Sequence, residues 1–240
     1  MRIIVTADGS RTVSSPTYGE TYGSTHGALS EALHVYLQGS GVAHRLATHQ
    51  PTRVLEIGFG TGLNFLVTAE AAVRAGTALH YTSFEREPLP TDIIAAVHHG
   101  PESSTELVAA LVEGLAASST PTDGPRRRLL FGGSGAVVLD LVLSDAREAE
   151  QLGYLGRGES AYHAIYLDAF SPKTNPELWT DDYLRALAAA IAPGGSLATF
   201  TVSGTVRRAL AGAGLTVSKR QGPPGGKREM LVATRPATEP

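Results

Sequence analysis

The sequence predicts an α/β fold with a mostly parallel seven-stranded sheet, an N-terminal hairpin and a helical insertion. Three observations carry that expectation. Strand-like runs recur at 54–57, 78–84, 137–143 and 162–167, each ending at or beside an acid: Glu56, Glu85, Asp145 and Asp168. Runs of this kind mark strands buried on both faces of a parallel sheet. Stretches with helical spacing lie between them, as crossover connections require. Between the first run and its helix stand three alternate glycines, Gly58, Gly60 and Gly62.

Composition bounds the function classes. The 240 residues contain no cysteine, so disulfides, thiolate metal sites and a cysteine nucleophile are excluded. No stretch reaches 18 uninterrupted apolar residues and the N-terminus lacks a signal-peptide core, so a cytoplasmic protein without a membrane partner is expected. The net charge of −3 gives no global pull toward nucleic acid. A local basic face is needed for that, and residues 203–235 supply one: seven Lys/Arg against the single acid Glu229. On charge alone it reads equally well as an ordinary solvated surface.

Taken in order, residues 2–15 read as a hairpin around the turn Ala7-Asp8-Gly9-Ser10. A polar, aromatic segment follows, in which Tyr22 and His26 read as exposed loop residues, and then a helix over 28–37. The strand at 54–57 leads through the glycines into a helix beginning at Leu63. After the strand at 78–84, residues 88–118 have helical spacing with a break at His99-Gly100-Pro101; His98 and His99 lack ligand-spaced partners and read as surface residues. A loop at 118–125 precedes a hairpin, 126–131 and 137–143, around Gly132-Gly133-Ser134-Gly135. The strand at 162–167 runs into a loop with Pro172, Pro176 and the single tryptophan, Trp179. A helix over 181–192 stops at Pro193-Gly194-Gly195, a strand covers 196–201 and a short helix 204–212. A final antiparallel pair lies around 215–219 and 229–233.

The glycine loop and the strand-end acids carry the chemistry. Glycine permits tight turns and close backbone approach to a ligand, and a helix starting just beyond aims N–H groups and a positive dipole end at it. The spacing is neither the dinucleotide G-x-G-x-x-G nor a P-loop. Glu56 would repel a pyrophosphate but suits a cation such as an ammonium or sulfonium. E-x-G-x-G-x-G after a strand resembles the loop of Rossmann-like methyltransferases that bind S-adenosylmethionine; a glycine-rich turn without ligand is the alternative. Glu85, some 20 residues past the loop, stands where nucleoside-binding sheets place the acid that accepts from ribose hydroxyls. Asp145 can accept from an adenine amino group, cap a helix, or do both. Asp168 is the candidate to hold a reacting group, or else it caps the turn at Ser171-Pro172.

Several blocks together resemble the methyltransferase domain of the bifunctional tRNA wobble-uridine enzyme MnmC and its stand-alone relatives. They are residues 56–66, Phe84-Glu85, 167–172 with 175–180, 195–201 with Val206-Arg207-Arg208, and 226–231. The resemblance implies a Rossmann-like class I methyltransferase that methylates the amine of 5-aminomethyl(-2-thio)uridine at tRNA position 34. It divides the chain into a hairpin and pocket-covering helix over 1–45 and a methyltransferase domain over 46–235. Glu56, Gly58, Phe59, Gly60, Gly62, Asn64, Glu85, Asp145 and Ala146 are expected to hold S-adenosylmethionine. Asp168 is the expected catalytic residue, holding the amine and taking its proton with help from an adjacent carbonyl. Phe170 and Pro172 are expected to sandwich a flipped-out uracil, and Lys227 and Arg228 to contact phosphate near the anticodon, with Arg207 and Arg208 nearby. No metal is required. The family's flavin oxidase activity is not expected, so upstream wobble-uridine enzymes supply the aminomethyl substrate. The sequence departs from the family at Thr21-Tyr22-Gly23-Ser24, where a more aromatic Y-F-S is expected. A methyltransferase for a small amine is the alternative.

Overall fold

The computed structural model describes residues 1–99, 104–117, 125–132, 136–156, 158 and 161–237. A two-stranded hairpin, β1 (Arg2–Val5) and β2 (Arg11–Ser14), leads to α1 (Ala28–Glu31), a π-helical turn (Ala32–Gln38) and α2 (Val42–Ala47). The remaining elements are β3 (Thr52–Ile57), α3 (Leu63–Ala75), β4 (Leu79–Phe84), α4 (Thr91–Val97), α5 (Thr105–Ala117), β5 (Arg126–Phe131), β6 (Val137–Val142), β7 (Tyr162–Leu167), α6 (Asp181–Ala189), β8 (Ile191–Thr199), α7 (Gly204–Gly212), β9 (Thr216–Gln221) and β10 (Glu229–Thr234).

The main sheet runs β5-β6-β4-β3-β7-β8-β10-β9. Strands β6, β4, β3, β7 and β8 are parallel, while β5, β10 and β9 pair antiparallel at the edges. The fold class is the expected one, with eight strands rather than seven, because β5 adds its full length to the edge of β6. Strand β3 forms because Val54, Leu55 and Ile57 are wanted on both faces. Val54 joins a core layer with Phe65, Ala69 and Leu111; Leu55 and Ile57 join another with Leu184, Leu187 and Leu210. Burying one such aliphatic side chain is worth about 1.5–3 kcal/mol. Val13, Val35 and Tyr36 from the N-terminal segment belong to the first layer.

Some boundaries differ from expectation. The helix expected over 28–37 occupies that span but widens to π winding after Glu31. Helix α6 ends at Ala189, and Pro193-Gly194-Gly195 lie inside β8. There Gly194 N–H donates to Arg235 O (3.0 Å) and Arg235 N–H to Gly195 O (2.9 Å), a pairing that local sequence does not encode. The expected break at His99-Gly100-Pro101 falls between α4 and α5, but Gly100 and Pro101 lie outside the described residues. So do Gly133, Ser134 and Gly135 of the hairpin turn and most of the loop at 118–125. Among the described residues, no helix is long and apolar enough to cross a membrane.

Candidate active site

The carboxyl ends of β3, β4, β6 and β7 meet where the chain order reverses about β3, which is where open α/β sheets bind ligands. Backbone bonds stitch these ends together: Gly58 N–H to Phe84 O, Glu85 N–H to Val142 O and Asp168 N–H to Ile57 O, each 3.0 Å. Above them lies a cavity of about 620 Å³, the size of a small-molecule site.

The three glycines adopt positive φ: 95° at Gly58, 52° at Gly60 and 80° at Gly62. A Cβ on Gly58 would lie 2.8 Å from Asp168 O, and one on Gly60 would lie 3.0 Å from the Tyr22 ring. Only a loop without side chains brings its backbone this close to the tip of β7. Glu85 shapes the loop from the far side, accepting from Gly60 N–H (3.0 Å) and Glu87 N–H (2.9 Å). His98 does so from beneath, its Nε2–H donating to Thr61 O (2.8 Å). Only 6% exposed, His98 is a buried support of the loop, not the surface residue expected, while His99 is exposed.

Asp168 sits at the tip of β7 with both oxygens engaged. Tyr36 Oη donates to Oδ1 (2.5 Å) and Asn64 Nδ2 to Oδ2 (2.7 Å). Burial pushes its carboxyl well above the usual carboxylate range and nearby Glu31 adds to this, against the two hydrogen bonds. Asn64 Nδ2 also donates to Glu56 Oε1 (3.0 Å), and Ser83 Oγ donates to Glu56 Oε2 (2.7 Å). Asp145 lies at the mouth, where it caps the short turn at Ala146–Glu148 by accepting from Arg147 N–H (2.9 Å). The Arg147 guanidinium (2.7 Å) holds its carboxyl below the usual range.

The opposite wall comes from the N-terminal segment and the β9–β10 loop. Tyr18 stacks on Phe170 at 4.5 Å and Tyr22 meets it edge-on at 5.1 Å. Glu20 accepts from Ser171 N–H (3.0 Å), Ser171 Oγ (2.5 Å) and Thr174 Oγ1 (2.5 Å), clasping the loop after Asp168. Trp179 Nε1 donates to Phe170 O (2.9 Å), and Lys227 Nζ lies 4.0 Å over the Phe200 ring.

Of the residues expected at the site, Gly58, Phe59, Gly60, Asn64, Glu85, Asp145, Ala146, Asp168, Phe170 and Lys227 line this cavity together. Glu56 does not reach it. It is fully buried behind Asn64, and burial pushes its carboxyl up to about 8, so it presents no free charge to a cation. Gly62 caps α3 beneath the Phe59 ring. Pro172 and Arg228 lie off the cavity, and the rings packed against Phe170 are those of Tyr18 and Tyr22. Tyr22, expected to be exposed, is half-buried on the wall; His26 is exposed at the rim. Sequence reasoning missed Tyr18, Glu20, Glu31 and Tyr36. Their one signal is the clustering of aromatic and acidic residues just before the first central strand.

An acid-lined cavity at a glycine loop suits a ligand carrying a nucleoside and a positive charge, and comparisons with known proteins agree. Residues 112–236 match a family described as S-adenosyl-L-methionine-dependent methyltransferase. The chain is 39% identical over 245 residues to the tRNA 5-methylaminomethyl-2-thiouridine biosynthesis bifunctional protein MnmC of Aromatoleum aromaticum, covering 98% of this chain and 36% of that protein. It is 39% identical over 225 residues to the protein of the same name from Cupriavidus necator, covering 92% and 32%. The chain thus spans about a third of the length of these curated relatives. Among solved structures it is similar to MnmC2 from Aquifex aeolicus, with a TM-score of 0.75, 28% identity, and coverage of 99% of this chain and 72% of that one.

Proposed function

The chain belongs to the S-adenosyl-L-methionine-dependent methyltransferases, and from that premise we propose that it methylates the amine of 5-aminomethyl(-2-thio)uridine at the tRNA wobble position. The relatives' names, which specify tRNA 5-methylaminomethyl-2-thiouridine biosynthesis, support this product. The observation that supports the reading is the half-buried Asp168, held by Tyr36 and Asn64 beside the glycine loop, where an amine and a sulfonium can be brought together.

The residues present fit the cofactor. The loop of Gly58 and Gly60 would hold its amino-acid end, Glu85 its ribose hydroxyls, and Asp145 and Ala146 its adenine. Bound there, S-adenosylmethionine supplies an electrophilic methyl group. The chain's own contribution is alignment: Asp168 holds the amine in line, and the walls exclude water. Phe170, with Tyr18 rather than Pro172 as its neighbour, contacts the flipped base, and Lys227 and Arg228 meet the tRNA near its anticodon. Residues 1–45 act as the cover of the methyltransferase domain. The reaction takes place in the cytoplasm, on tRNA already carrying the aminomethyl group.

The test is incubation of the protein with methyl-labelled S-adenosylmethionine and tRNA bearing 5-aminomethyluridine, followed by nucleoside mass analysis. A labelled 5-methylaminomethyl nucleoside, lost with Asp168→Ala, is expected. Cofactor binding without label in this tRNA refutes the tRNA substrate and redirects the search to small amines.

A further inference from the structure

We propose that Glu31 receives the substrate amine together with Asp168 at the reacting position and is the group that takes its proton; this deepens the tRNA reading above and rests on it. The argument begins with the helix. Five residues of α-helix turn through about 500°, which leaves side chains at i and i+5 about 140° apart. From Ala32 to Gln38 the winding is instead π-helical, with Gly39 N–H bonded to His34 O (3.0 Å). The wider turn brings Glu31 and Tyr36 to the same cavity, and π-turns inside helices recur at functional sites.

The two carboxylates are then unequal. Asp168 has an oxygen committed to each of Tyr36 and Asn64. Glu31 accepts through Oε2 from Ser24 N–H (3.2 Å), and among the described residues no hydrogen bond engages Oε1. The charged and titratable groups that act on Glu31 are Asp168, Tyr36, Lys227 and His26. Burial raises the Glu31 carboxyl while Lys227 and His26 pull it back, which makes it a stronger base than a surface carboxylate.

The step balances. An alkylammonium gives a proton to Glu31 Oε1 and becomes a neutral amine. The nitrogen lone pair forms the bond to the methyl carbon as the carbon–sulfur bond breaks, its electron pair passing to sulfur. The methylated ammonium leaves, and Glu31 returns its proton to solvent. Asp168, held by Tyr36 and Asn64, lies beside the reacting nitrogen.

Glu31→Gln keeps the Ser24 bond but cannot take a proton, and Glu31→Asp retains the base at shorter reach. For Glu31→Gln, steady-state assays on aminomethyl tRNA should give a KM at least tenfold higher and a pH optimum raised by a unit or more, with cofactor Kd within twofold of wild type. Glu31→Asp should fall between. A parallel loss of cofactor affinity would overturn the proposal, placing Glu31 on the cofactor's own ammonium. An unchanged KM and pH profile would overturn it as a scaffold residue. Calorimetry with 5-aminomethyluridine nucleoside and with propylammonium, on protein saturated with S-adenosylhomocysteine, separates this question from the tRNA reading. If wild type leaves tRNA unlabelled, the tRNA reading fails. Amine binding then decides Glu31: binding at least tenfold tighter than in Glu31→Gln supports it, and equal binding refutes it.

Discussion

Glu56→Gln asks whether the buried end of β3 carries a proton or a charge. Burial lifts the Glu56 carboxyl from its ordinary 4.5 to about 8, against the opposing pull of Ser83 Oγ and Asn64 Nδ2. In the unfolded chain the group titrates near its ordinary value. Between 4.5 and about 8 the folded state therefore holds a proton that the unfolded state has released. The stability due to this group is complete below the lower value and declines as pH rises to the upper one, by at most about 1.4 kcal/mol per pH unit. From pH 5 to 8 that sums to about 4 kcal/mol. Glutamine can satisfy the same partners: Oε1 accepts from Asn64, and the amide donates to the Ser83 hydroxyl, which rotates to receive it. The substitution thus removes the titration and keeps the shape. Urea unfolding of both forms at pH 5, 6.5 and 8, at constant salt, should show near-equal stability at pH 5 and the variant ahead by several kcal/mol at pH 8. Identical pH slopes for the two forms would refute the assignment of a buried, protonated Glu56.

Gly58→Ala, at φ 95° with its new Cβ 2.8 Å from Asp168 O, should cost about 3 kcal/mol and abolish cofactor binding; Gly76→Ala, at φ 60° in open space, should cost about 1 kcal/mol. Equal losses in paired denaturation curves would contradict that distinction. His98→Ala leaves the Thr61 carbonyl without its buried donor, so about 1–3 kcal/mol of stability and about tenfold in cofactor affinity should go together. A fall in Tm with unchanged Kd would mean that the histidine does not hold the loop in its binding shape. Arg228→Ala, at an exposed position outside the cavity, should weaken tRNA binding without sequence preference and lower the slope of log K against log salt by about one. An unchanged slope removes Arg228 from the phosphate-contacting set.

The central strands and their acids were legible because one physical requirement writes both. Strand β7, expected at 162–167, spans Tyr162–Leu167, since a strand buried on both faces needs a mainly apolar run and ends where polarity returns at Asp168. Contacts made across long sequence separations left no comparable local mark. Pro193-Gly194-Gly195 resembles a helix stop, yet Gly194 and Gly195 pair with Arg235 to extend β8. Glu20 and Glu31 precede β3, the first strand of the main sheet, and carry no strand-end signature, so only their meeting with Ser171, Thr174 and Asp168 reveals them. Helical periodicity likewise placed 28–37 in a helix but is blind to whether the winding is α or π.

The π-helical segment also ties distant parts of the chain together. His34 Nε2 pairs with Gln221 O (2.9 Å), Arg220 donates to Gly39 O (3.1 Å), and Ser196 Oγ donates to Ser40 O (2.7 Å). Elements made early in synthesis therefore wait for β8 and β9 before they reach their final positions. A topology of this kind has high contact order, and its loop-closure entropy is spent before the joining contacts form. Synthesis delivers the glycine loop and Asp168 before Lys227, which completes the cavity wall. Cofactor can thus reward only the finished fold, acting as a late thermodynamic seal and not as a nucleus around which folding starts.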